Sequence, residues 1–184
     1  MNLIDVDSIF LLIIDIQDKL IKKIENKDVL INSAVAAVDI FQHLKLPVLC
    51  SEQYPHGLGK TISQIDLFLE KEKVLKISKT SFSCCGSDEN VKTINSLKKK
   101  QVIIVGIEAH ICVLQTALDL KKNGFEVFVL TDGVGSRSNR DSKLAIKRLS
   151  AVGVSLINLE MMIFELIRDS KHDMFKYITQ KYVN

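Results

Sequence analysis

Six apolar runs of strand length, each continuous rather than alternating, constrain this 184-residue chain more than any other feature. They cover residues 9–14, 47–50, 74–77, 102–105, 125–130 and 154–157. A strand with one wet face alternates apolar and polar residues, so a continuous run predicts a strand covered on both faces. Segments with helical spacing separate the runs, at 29–44, 65–70, 88–97, 111–122 and 142–152, and two more, 160–168 and 174–182, follow the last run. Strand and helix therefore alternate. That alternation predicts an α/β fold in three layers: a six-stranded parallel sheet with right-handed crossovers, strand order 3-2-1-4-5-6, and helices on both faces. Gly124 and Gly153, each placed where a helix must stop before the next strand, mark two of the boundaries.

The length suits one domain spanning 1–184, and no linker, repeat or low-complexity tract divides it. With 47% hydrophobic residues the chain can bury a full core, which excludes disorder and disulfide-stapled miniproteins. Lysine and arginine number 25 against 22 acids, with both signs scattered, so neither nucleic acid nor an anionic membrane is an expected partner. No apolar stretch reaches the ~20 residues that span a bilayer. Asp5 and Asp7 stand where a leader needs bases. The cysteines at 50, 84, 85 and 112 lack CxxC spacing, and reduced thiols in a cytoplasm are the expectation.

In an open parallel sheet, ligands bind beyond the carboxyl ends of the strands. There is no GxGxxG after the first run and no GxxxxGK[ST] anywhere, so no nucleotide cofactor is expected. Three residues at those ends have chemistry. Cys112 follows the fourth run and a glycine, at the start of a predicted helix; the dipole there lowers a thiol pKa, and the free N–H groups suit an oxyanion. A small buried hydrophobe is the plainer reading of the same cysteine. Asp15 ends a fully apolar run, where an acid needs a partner or a task, although a turn acid is an alternative. Lys79 follows the third run and reads equally as an exposed loop lysine. The predicted strand order makes the three converge near one switch point.

The phrases Leu12-Ile13-Ile14-Asp15-Ile16-Gln17, Lys79-Thr80-Ser81-Phe82-Ser83 and Val105-Gly106-Ile107-Glu108-Ala109-His110-Ile111-Cys112-Val113 resemble the isochorismatase-like cysteine hydrolase superfamily. Ser51-Glu52-Gln53-Tyr54-Pro55 and Ser136-Arg137-Ser138 bring it nearest to the small isochorismatase domain-containing proteins. The resemblance spans nearly the whole chain. It implies a catalytic triad of Asp15, Lys79 and Cys112 that hydrolyses a small amide or related carbonyl compound through a thioester. It also implies a cis Ile107–Glu108 peptide, with the Glu108 and Cys112 amides forming an oxyanion hole. Nicotinamidases of this superfamily carry Asp-x-His-x-x-x-His after the second strand. Here Glu52 and a single His56 stand in that region, so no metal is expected. True isochorismatases lack the cysteine, so Cys112 argues against that substrate.

Gln17, Glu52, Tyr54 and Phe82 are the candidate pocket residues, each with an ordinary capping, loop or packing role as the alternative. His110 lies two residues before Cys112, a spacing that points the two side chains apart. Arg137 suits a subunit contact or an anionic substrate group. The apolar excess of residues 159–182 predicts a homo-oligomer. An idle scaffold on the same fold and a thiol redox sensor remain the other functional readings.

Overall fold

The computed structural model describes residues 3–183. Six parallel strands form one sheet: β1 (Ile9–Ile14), β2 (Val48–Gln53), β3 (Leu75–Lys79), β4 (Gln101–Ile107), β5 (Glu126–Gly135) and β6 (Ser155–Ile157). Their order is 3-2-1-4-5-6, as the alternation predicts. The helices are α1 (Asp18–Ile21), α2 (Lys27–His43), α3 (Pro55–Leu58), α4 (Ser63–Lys71), α5 (Asp88–Ser96), α6 (Leu114–Lys122), α7 (Asn139–Ala151), α8 (Leu159–Ile167) and α9 (Phe175–Tyr182). Side-chain oxygens of Ser87, Ser138 and Asn158 accept backbone N–H groups at the starts of α5, α7 and α8. Among the described residues no helix is long and apolar enough to cross a membrane.

The continuity of the first run now has its reason. Ile9, Leu11 and Ile13 of β1 pack into a core with α2, α4, α8 and α9, whereas Phe10, Leu12 and Ile14 face α5, α6 and α7. Successive strand residues point to opposite faces, and both faces are dry. Gly106 lets β1 and β4 approach: at φ +134° it stands beside Ile14, and a Cβ there would lie 2.1 Å from the Ile14 carbonyl oxygen. No side chain fits.

Strand β5 runs five residues past the apolar segment that predicted it. Its register against β4 jumps between the pairs Ile104–Val129 and Gly106–Val134, so the polar stretch Thr131–Asp132 bulges without ending the strand. A second difference concerns the C-terminal helices, whose apolar excess is largely spent inside the chain. Met162, Ile163, Leu166, Ile167 and Ile178 lie in the same core as α2, which leaves Met161 and Phe164 as the exposed large hydrophobics of α8.

Candidate functional site

Strand order decides which side chains can meet. β2 lies between β1 and β3, so its carboxyl end stands between the strand ends that carry Asp15 and Lys79. The register pairs Ile14 with Ser51 and Gln53 with Lys79, which places Ser51 and Gln53 on that line. Asp15 follows β1 in the left-handed region, at φ 54°, a conformation that Asp tolerates better than most residues. Its N–H donates to the Ser51 carbonyl at 3.1 Å. The Ser51 hydroxyl donates to Asp15 Oδ1 at 2.8 Å, and Lys79 Nζ donates to Oδ2 at 2.6 Å.

Lys79 is not the loop lysine that the sequence allows. It is the last residue of β3, and its side chain is fully buried. Its ammonium also reaches Gln53 Oε1 at 2.6 Å and the Ser81 carbonyl at 3.4 Å, so its three donors have three acceptors. A buried ion pair is retained only with such extra hydrogen bonds, because desolvation would otherwise exceed the attraction.

Cys112 does not open an α-helix. It is the fourth residue of a π-helical turn, Ala109–Val113, that precedes α6. Wide turns of this kind occur often at functional sites. The Ile111 and Val113 N–H groups both donate to the Glu108 carbonyl, and the Ile107–Glu108 peptide is cis. The Cys112 thiol lies beside the Asp15 side chain. Burial and the Asp15 charge push it up to about 12, and the opposing charge of Lys79 does not offset them. The expected lowering by the helix terminus and Lys79 is not found, because burial and, after it, the neighbouring Asp15 charge outweigh the Lys79 charge.

The other cysteines are raised as well, chiefly by burial: Cys50 and Cys85 to about 12, Cys84 to about 11. Cys84 is the one that belongs to this neighbourhood. It is fully buried, its thiol interacts with the Ser51 and Thr116 hydroxyls, and its N–H donates to Thr116 Oγ1 at 2.9 Å. All four thiols are free.

The pocket candidates divide. Gln17 is fully buried, and its amide is consumed: Nε2 donates to the Gln53 and Gly59 carbonyls, and Oε1 accepts the Gln53 N–H. Glu52 holds Thr61 through its N–H and hydroxyl, both at 2.8 Å. Those contacts make Gln17 and Glu52 struts of the strand ends. Tyr54 and Phe82 are each 54% exposed and retain free surface. His110 pairs with Ser136 Oγ at 2.9 Å, and Glu108 Oε2 accepts both the Arg137 N–H and its Nε. His56 is exposed on α3. Among the described residues no three His, Cys, Asp or Glu side chains gather as a metal site. A hollow of about 900 Å³ lies along α7 and β5, but none of Asp15, Lys79 and Cys112 lines it.

Ser51 and Gln53 were not among the expected site residues, whereas Cys84 reads from the sequence as a structural or pocket-lining cysteine. For the first two the signal was available: strand parity. Glu52 and Tyr54 alternate with Ser51 and Gln53, and the latter pair is the one that touches the ionic partners.

The isochorismatase domain family model matches residues 10–161. The chain belongs to the isochorismatase family. Isochorismatase family protein 1B of Dictyostelium discoideum is 36% identical over 174 residues, covering 91% of this chain and 82% of the relative. The family fold recurs in a Caenorhabditis elegans protein described as MAR1 ribonuclease, with TM-score 0.89 and 33% identity, covering 100% of this chain and 93% of that one. YcaC of Pseudomonas aeruginosa, solved with hexane-2,5-diol and covalent acrylamide, gives TM-score 0.90 at 26% identity, covering 96% and 90%. The chain therefore carries an isochorismatase-family hydrolase fold.

Proposed function

We propose that this chain is a single-domain cysteine hydrolase of small amides or related carbonyl compounds, working through a thioester on Cys112 without a cofactor. The observation that carries the reading is a thiol beside a buried carboxylate that is itself paired with a buried ammonium. With the thiol held near 12, little thiolate exists at neutral pH. Proton transfer and attack must then occur together: Asp15 takes the thiol proton as the sulfur bonds to the carbonyl carbon. The Glu108 and Cys112 amides are assigned to the developing oxyanion. Asp15 returns the proton to the leaving nitrogen, and the C–N bond breaks. Water, deprotonated by Asp15, then releases the acid and restores the thiol.

Lys79 has no donor to spare for substrate, so its task in this reading is to pair with Asp15 and hold the carboxylate in place. Tyr54 and Phe82 supply apolar walls. The ribonuclease description of the worm protein is not carried over: the cation of this group is buried and saturated, and the net charge is only +3. Four free thiols suit a cytoplasmic setting.

Intact-mass detection with a panel of small amides and esters, and with acrylamide as a trapping reagent, tests the proposal. A single adduct at Cys112 is expected, absent in Cys112→Ala and slowed roughly 100-fold or more in Asp15→Asn, as for loss of a general base. Labelling spread over Cys85 and Cys112 alike, or insensitive to Asp15, overturns it in favour of a scaffold role.

A further inference from the structure

Asp15 faces a demand that Lys79 alone does not meet. The carboxylate must present one lone pair to the Cys112 thiol while staying charged in a dry place. The terminal torsion of an Asp side chain is broad, and a single ionic contact on Oδ2 leaves the group free to swing about it. A second contact is present. Ser51 grips Asp15 at two points, its carbonyl on the backbone N–H and its hydroxyl on Oδ1.

Ser51 is also an anomaly in its own strand. It follows Val48-Leu49-Cys50, it is fully buried, and a hydroxyl there is costly unless it is hydrogen-bonded. No solvent reaches the position to replace the bond if the hydroxyl is lost. The buried Cys84 thiol lies behind it, and the single hydroxyl proton of Ser51 is the one donated to Asp15. Gln53 does for Lys79 what Ser51 does for Asp15, from the same edge of β2.

We infer that Ser51 is a positioning residue that locks the Asp15 carboxylate in the orientation from which it accepts the Cys112 proton. The inference rests on the cysteine hydrolase reading and names a role which that reading does not require. Its action runs through Asp15, without contact to the substrate. It is therefore expected in the rate of the chemical step and absent from substrate affinity.

Acrylamide is a suitable probe. The Cys112 sulfur bonds to its terminal vinyl carbon, the thiol proton passes to Asp15, and that proton completes the carbon next to the carbonyl. Saturation kinetics separate the maximal rate, kinact, from the half-saturating concentration, KI. Ser51→Ala is expected to lower kinact by roughly ten- to a hundredfold with KI unchanged, the range for losing a hydrogen bond to a charged group. Ser51→Thr, which keeps a hydroxyl, is expected to recover most of the loss. In an Asp15→Asn background, Ser51→Ala should have no further effect, because residues acting through one another are not additive. If Ser51→Ala fails to fold, Ser51→Cys keeps the volume while exchanging the hydroxyl for a weak donor, and should show the same fall.

Wild-type kinact in either variant, a change confined to KI, or an equal loss in the Asp15→Asn background would each overturn the positioning role while leaving the hydrolase reading intact. A wild-type protein that forms no adduct at Cys112 would instead remove the hydrolase reading, and the role of Ser51 with it.

Discussion

At the scale of single residues, position in the sheet decides what each group does. Lys79 and Asp15 neutralise one another inside the protein, and burial first, with the Asp15 charge second, raises the Cys112 thiol against the opposing pull of Lys79. Gly106 shows the same dependence on close neighbours. Its residue-sized gap is filled by the Ile14 backbone, and its φ of +134° is unfavourable for any other residue. Gly106→Ala is expected to cost about 3 kcal/mol, the upper end of overpacking, because β1 and β4 must separate at the point that carries Asp15 and leads to Cys112. Urea unfolding measures this, and a loss under about 1 kcal/mol would show that the two strands can yield.

Among elements, α9 is held to α2 by a polar latch rather than by its apolar face alone. Asp39, on α2 and nearly buried, accepts from Tyr182 OH at 2.6 Å, Tyr177 OH at 2.9 Å and Lys181 Nζ at 3.1 Å. Burial works against its charge, but these hydrogen bonds together outweigh it and hold the carboxyl below its ordinary value of 3.8. A depressed carboxyl stabilises the folded state at pH values above the unfolded pKa, and the contribution fades as pH falls through the lower folded one. The latch should therefore hold through neutral and mildly acid pH and release only below the ordinary carboxylate range. Asp39→Asn is expected to speed amide hydrogen exchange across α9 at pH 7 while leaving β1 protected; equal exchange in the variant and the wild type would assign the docking to Ile178 and its apolar neighbours.

For the whole molecule, most of the apolar excess of the C-terminal helices is internal packing, and Met161 and Phe164 of α8 are the part of it left exposed. The exposed apolar side chains lie on several elements: Leu67 on α4, Leu144 on α7, Met161 and Phe164 on α8, with Tyr54 and Phe82 near the candidate site. Contacts among copies that cover part of this surface remain the expectation. Light scattering at micromolar concentration should give a multiple of the 20.7 kDa chain mass; a monomer mass would leave these residues as scattered surface.

Local pattern was enough for the architecture. Continuous apolar runs separated by helical spacing dictate a two-sided parallel sheet, because burial on both faces is a property of each segment that survives whatever the rest of the chain does. The same pattern places Asp15, Lys79 and Cys112 at the carboxyl ends of β1 and β3 and just beyond β4. Tertiary structure alone decided the contacts among them. Ser51 lies 36 residues from Asp15, and Lys79 lies 64 away, so their hydrogen bonds depend on register and on which face each strand end presents. A shift of one residue exchanges Ser51 and Gln53 for Glu52 and Tyr54; strand parity sorts the four into these two sets, and the register selects between them. The protonation state of Cys112 was equally out of reach, since a thiol beside opposite charges answers to its nearest partner and its burial, and both are distances that exist only once the chain has folded.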